Sequence, residues 1–224
     1  MNYIKQRHTQ ILFICFLICS AVFVAFPTID IQVSSLFFEN GFHLKGSWWE
    51  RLLYKSVKPF LILTILTITI LWLVNKYTDK NIFKIDGRKT GFIVLVLVLG
   101  SGLIVNAIFK DNFGRARPSA IIEFNGTQQF TPAFVISQEC DRNCSFSSGH
   151  GSAAFFTLAL ALLFKNRRKA FAVAVTYGCL VSLARIAAGG HFFSDNVTSF
   201  FVMAITTDAL YYMLYTRHKE NILE

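Results

Sequence analysis

The chain predicts an all-α integral membrane protein, a bundle of six transmembrane helices, and three observations carry that expectation. Of its 224 residues 54% are hydrophobic, and the mean hydropathy of +0.48 is above that of soluble domains. The apolar residues fall into six runs, most of them close to the ~20 residues that cross a bilayer core. The formal charge of +9 lies between those runs instead of along one face. That placement points to membrane topology and away from a nucleic-acid partner. The length suits one domain, 1–224, and there is no internal repeat or low-complexity tract.

The first run, Gln10–Phe26, follows a short stretch holding Lys5 and Arg7. No small-x-small cleavage site comes after it, only Phe26-Pro27-Thr28, so it reads as an uncleaved span. Before the second run, Pro59–Asn75, the segment Gly46–Lys58 interleaves Trp48, Trp49, Leu52, Leu53 and Tyr54 with Glu50, Arg51 and Lys55. That pattern predicts a helix lying in the interface, as an anchor or a substrate gate. The third run is Gly91–Phe109. The fourth, Ser152–Phe164, is short unless its helix starts back at Ser147. The fifth, Ala170–Ala188, carries Arg185, which must reach an interface or a cavity. The sixth, Val197–Tyr215, holds Asp208, an intramembrane carboxylate without an evident role.

Orientation follows from the basic residues. With both termini in the cytoplasm, the inner segments hold Lys5, Arg7, Lys76, Lys80, Lys84, Arg88, Lys89, Lys165, Arg167, Arg168, Lys169, Arg217 and Lys219, most of the 22 lysines and arginines. The outer exceptions cluster. "KDNFGRARPS" holds Lys110, Arg115 and Arg117; "SFSSGHGS" holds Ser148, Gly149 and His150; "LARIAAGGHFFSDN" holds Arg185, His191 and Asp195. Six spans bring all three segments to one outer face.

There Lys110, Arg117 and Arg185 call for an anion, because cations in a low-dielectric setting are costly unpaired. Guanidinium forks and a lysine point charge suit phosphate. The backbone N–H groups of Ser148, Gly149 and His150, at a helix start, would complete a cradle. Asp195, four residues after His191, has the spacing to orient the imidazole and leave its other nitrogen free to attack, with His150 as the acid for the leaving oxygen. The expected chemistry is phosphomonoester hydrolysis through a phosphohistidine, with cations instead of a metal and no cofactor.

Each residue also has a plainer role. Lys110 and Arg185 could snorkel at span ends, and Asp195 could cap the last helix. His150, His191 and Asp195 could hold zinc, which three neighbouring cations oppose. Arg115 and Arg142 are either second cations for an acidic headgroup or solvated loop charges. Cys140 and Cys144 could form a disulfide in an oxidising compartment or half a metal site.

The order Lys110-x6-Arg117-Pro118, Ser147-Ser148-Gly149-His150, Arg185-x5-His191-x3-Asp195 resembles the three-part signature of the type 2 phosphatidic acid phosphatase superfamily, over about residues 106–196. The resemblance implies a membrane phosphatase with its active site at the periplasmic face. It implies phosphate binding at Lys110, Arg117 and Arg185, His150 as acid, His191 as nucleophile and Asp195 as its holder. Ser147 stands where the family usually has Pro, and Ala184 where it usually has Ser. "FVISQECDRNCSFSSGHGS" and "GGHFFSD" resemble bacterial lipid A phosphatases, which remove the 1- or the 4′-phosphate. The implied setting is a bacterial inner membrane, with the bilayer and a lipid phosphate as partners. Phosphatidylglycerophosphate and undecaprenyl pyrophosphate phosphatases are the competing members. A vanadate-dependent oxidase or a phosphate-holding transporter is a more distant reading.

Overall fold

The computed structural model describes residues 2–78 and 80–216, with side chains from His8 onward. The inner charges expected at Lys5, Arg7, Arg217 and Lys219 lie outside the described side chains. The elements are α1 (Asn2–Ala25), α2 (Thr28–Ser35), α3 (Trp48–Tyr77), α4 (Gly87–Leu95), α5 (Gly149–Phe155), α6 (Thr157–Ala161), α7 (Arg167–Ala187) and α8 (Phe193–Tyr215). After Leu95, α4 widens without a break into a π-helix over Val96–Lys110. Among the described residues there is no strand, only the single bridges Phe38–Phe42 and Ile121–Gln128.

Among the described residues five helices are long and apolar enough to cross a membrane: His8–Ala25, Trp48–Tyr77, Gly87–Lys110, Arg167–Ala187 and Phe193–Tyr215. The expected fourth span is not among them. It is split at Phe156 into α5 and α6, and residues 151–159 are all buried. Their apolar character serves the interior of the protein, since a helix that is hydrophobic all round is a buried one. The expected interfacial helix does not stand alone either. Trp48 opens α3, which runs through Pro59 to Tyr77 as one 30-residue helix. A proline is tolerated in such a helix where neighbours satisfy the freed backbone groups.

The pairs α1–α8, α3–α7 and α4–α8 run antiparallel, as their contacts show. Along α1 and α8, Thr9 Oγ1 donates to Asp208 Oδ2, Phe16 meets Phe201 and Phe23 meets Phe193. Asp208 is therefore a tie between the first and last helices. Along α3 and α7, Glu50 faces Arg185 and Ser56 bonds Tyr177 at 2.9 Å. Phe92 packs on Tyr211 and Tyr215, while Gly100 lies against Met203. Small residues permit these approaches. A Cβ on Gly178 would sit 2.2 Å from the Phe155 ring, and one on Gly100 2.7 Å from Met203 Sδ. The main core joins Phe92, Ile93, Val96, Phe155, Phe156 and Met203. At one end of the bundle gather the start of α3, Lys110, the start of α5, the end of α7 and the start of α8. The loop 111–148 folds over that end, held by Phe23, Phe109, Phe113, Phe134 and Phe146. Its entry turns on Gly114, at φ +54°, where a Cβ would sit 2.0 Å from the Ser137 carbonyl oxygen.

Candidate active site

The α7–α8 connection builds the centre. The carbonyl of Arg185 accepts the N–H groups of Gly190 at 2.9 Å and His191 at 3.3 Å, which curls the chain back under its own guanidinium. A Cβ at Gly190 would lie 2.1 Å from Arg185 Nη2, so a larger residue there would push the guanidinium out of its place. His191 is carried into the interior and is 1% exposed. Its Nδ1 lies 2.7 Å from the Ser145 carbonyl oxygen. A carbonyl can only accept, so Nδ1 carries the proton and Nε2 keeps its lone pair. Burial pushes the imidazole down to about 4. Asp195 works against that, and the charges of Arg185 and Arg117 add to it. At neutral pH His191 is uncharged, as a nucleophile requires.

Asp195 acts one step further back than its spacing suggests. Its Oδ2 lies 3.7 Å from His191 Nδ1 and accepts from Ser145 Oγ at 2.5 Å and the Phe192 N–H at 2.8 Å. The carboxylate fixes Ser145, whose carbonyl holds the ring, and it also ties the first turn of α8. The orienting and capping roles are thus both present in one residue.

Behind Asp195 lies Arg115, and here the sequence reading is corrected. Arg115 was expected either at the headgroup or as a solvated loop charge, but it is 1% exposed and faces inward. Nη1 donates to Asp195 Oδ1 at 2.6 Å and Ser194 Oγ at 2.9 Å, Nη2 to Asp30 Oδ2 at 2.8 Å, and Nε to the Thr131 carbonyl at 2.7 Å. The guanidinium carbon lies 4.2 Å from the Phe192 ring centroid. Asp30 of α2 closes the network by accepting the Ser194 N–H at 2.8 Å and its hydroxyl at 2.5 Å. Asp30 was absent from the sequence reading. Arg142 is exposed in the loop and lines neither cavity described below.

In front of His191 stand the three cations. Lys110 ends the π-helix beside α5, its Nζ 3.6 Å from where a Gly149 Cβ would be. Arg117 is steadied by the Asn143 carbonyl, to which Nε and Nη2 donate at 3.1 and 2.7 Å. Arg185 lies 3.5 Å from Glu50 Oε1 and 4.8 Å from the Tyr54 ring centroid, and its buried Nε has no partner among the described residues. His150 stacks on the same Tyr54 ring, with centroids 4.4 Å apart and planes 22° apart. Lys110, Arg117, Arg185, His150 and His191 are near enough for their charges to act on one another. These five side chains are thus brought to one end of the bundle.

The helix start is partly committed. The Ser148 N–H points to the Asp195 carbonyl at 3.4 Å, and Ser148 Oγ accepts the Gly151 N–H at 3.1 Å. Ser148 thus caps α5 and is not free as an anion donor through its N–H. Gly149 and His150, at the first two helical positions, have N–H groups with no acceptor within the helix. Among the described residues no three His, Cys, Asp or Glu side chains group as a metal site.

Two cavities flank these residues. One of about 590 Å³ leads from Lys110 and His150 along α3, between Leu61, Ile62, Ile65 and Leu66. Another of about 370 Å³ opens beside Arg117 and Arg185. Over the site, Cys140 and Cys144 are joined in a disulfide, Cα atoms 5.6 Å apart. Cys15, Cys19 and Cys179 are free. Alkylating the denatured protein without reductant should label three cysteines, and all five after reduction, as read by intact mass. Five labelled at the outset would break the pairing.

Residues 91–219 match the PAP2 superfamily. The chain is 38% identical over 205 residues to a lipid A 4′-phosphatase of Francisella tularensis subsp. novicida strain U112, covering 88% of this chain and 91% of the relative. It is 30% identical over 208 residues to a lipid A 4′-phosphatase of Rhizobium leguminosarum, covering 85% and 89%. The fold resembles the crystal structure of a transmembrane PAP2 type phosphatidylglycerolphosphate phosphatase from Bacillus subtilis, with a TM-score of 0.61, 18% identity and coverage of 96% and 97%. The matched region contains the whole run from Lys110 to Asp195, and the chain belongs to the PAP2 superfamily, as a membrane lipid phosphatase that hydrolyses phosphoric monoesters.

Proposed function

We propose that the protein removes the 4′-phosphate of lipid A at the periplasmic face of the bacterial inner membrane, through a phosphohistidine and without a metal. The observation that carries this reading is the gathering of Lys110, Arg117, Arg185 and His150 before a neutral, proton-oriented His191. The lipid A 4′-phosphatase relatives favour this phosphate over the 1-position. An apolar groove beginning at His150 suits a leaving group that stays in the bilayer.

In the first step Nε2 of His191 attacks phosphorus, and the bond from phosphorus to the sugar oxygen breaks. His150, cationic once the phosphate dianion sits among the cations, gives its proton to that oxygen. Lys110, Arg117, Arg185 and the N–H groups of Gly149 and His150 stabilise the equatorial oxygens. Throughout, Nδ1 keeps its proton and donates it to the Ser145 carbonyl, so the cationic phosphorylated ring is stabilised by that carbonyl and by the Asp195 carboxylate, which Arg115 holds in place. Water then attacks phosphorus, His150 takes a proton from it, and the P–N bond breaks to free phosphate and His191.

The orientation rests on two supports. Consecutive long helices alternate in direction, which supports reading α5 and α6 together as a sixth, protein-surrounded crossing, with the described start of α1 and end of α8 opposite the site. A disulfide above the site fits an oxidising compartment. The test is phosphate release by detergent-purified protein from lipid A, with mass spectrometry of the product. Loss of the 4′-phosphate with EDTA present is expected. Loss of the 1-phosphate, action on phospholipids alone, or inhibition by EDTA would each overturn the corresponding part.

A further inference from the structure

The cavity of about 370 Å³ is more basic than one phosphate requires. Its wall includes Arg117 and Arg185 of the phosphate site, and beyond them Lys45, Arg51 and Lys55 at the entrance to α3. The one carboxylate in the wall, Glu50, is 6% exposed and committed: Oε1 lies 3.5 Å from Arg185, and Oε2 accepts the Gly46 N–H at 3.1 Å. Lys45, Arg51 and Lys55 pair with no carboxylate among the described residues. Lys110, Arg117 and Arg185, with Glu50 set against Arg185, already match the charge of a phosphomonoester dianion. Three further cations around a cavity of this size, continuous with that site, leave charge for a second anion.

We infer that this cavity is a subsite for the glycan headgroup of the substrate, in which Lys45, Arg51 and Lys55 take a second anionic group while the first phosphate lies at His191. The inference rests on the lipid A reading above, since a simple phospholipid monoester brings no second phosphate on a sugar. The cavity's position fixes the arrangement. The apolar groove leaves the reaction centre on the side of Lys110 and His150, and the basic cavity leaves it on the side of Arg117 and Arg185. Acyl chains and charged sugar thus depart from the scissile phosphate in different directions. Tyr54, which holds His150 and Arg185, divides the two.

The test compares lipid A carrying both phosphates with lipid A carrying only the scissile one. Both are presented to full-length wild-type protein and to a Lys45→Gln/Arg51→Gln/Lys55→Gln variant in neutral detergent free of other anionic lipid. The wild type should prefer the doubly phosphorylated substrate, mainly through KM. The variant should lose about tenfold of that preference, each exposed cation contributing a fraction of a power of ten. Absence of a wild-type preference overturns the subsite. So does an equal loss on both substrates, which would mark these cations as a general field toward anionic surfaces. Melting temperature within a few degrees of wild type separates either result from misfolding. For a destabilised variant, the single Arg51→Gln change, read by the same ratio, decides instead. Wild-type protein that releases no phosphate from either substrate refutes the lipid A reading, and this inference with it.

Discussion

Changing His191 to Gln is expected to lower phosphate release by at least about a thousandfold, because the group that forms the covalent intermediate is gone. Glutamine is the informative replacement. Its amide N–H₂ can donate to the Ser145 carbonyl as Nδ1 does at 2.7 Å, so the loop and its tie to Asp195 are kept. It offers no lone pair comparable to Nε2. Melting temperature in detergent should therefore stay close to wild type while turnover vanishes. Brief exposure to substrate followed by quenching at high pH should leave an acid-labile phosphoryl group on wild-type protein and none on the variant. A protein that used these cations only to hold or carry a lipid phosphate would bind equally well in both forms. Residual turnover within tenfold of wild type would place the nucleophile elsewhere.

How far the chain could be read follows from where each residue's partners lie. Lys110, Arg117, His150, Arg185 and His191 declare themselves because charge and imidazole at the ends of apolar runs need a reason, and one anion supplies it for all of them. The fourth apolar run reads as a span because burial by protein and burial by lipid write the same composition. Only packing reveals that 151–159 are enclosed. Trp48 to Lys55 alternate as an interfacial helix would, yet Glu50 and Tyr54 are turned to Arg185 and His150 across more than ninety residues of chain. No local pattern records such a pairing. Arg115 and Arg117 stand two apart in "GRARP" and look alike. Asp30, the acid that marks Arg115 as internal, lies 85 residues away on a short helix after the first span. A lone carboxylate so placed was the available signal.

That difference gives the second large effect. Arg115→Met is expected to cost about 3–5 kcal/mol of stability, as for removing one partner from a buried ion-pair network. Asp30 and Asp195, 1% and 0% exposed, would be left facing one another without their shared cation. A fall in melting temperature on the order of 10 °C follows for a chain of this size. Arg115→Lys should recover only part of it, since an ammonium cannot serve Asp30, Asp195, Ser194 and the Thr131 carbonyl as the guanidinium fork does. Adding Asp30→Asn to Arg115→Met should return some of the loss, because one buried charge is then removed. A headgroup contact at Arg115 predicts the opposite pattern, a higher KM with unchanged melting temperature and no response to Asp30→Asn. Observing that pattern would return Arg115 to the substrate and leave the Asp195–Ser145–His191 arrangement without its anchor.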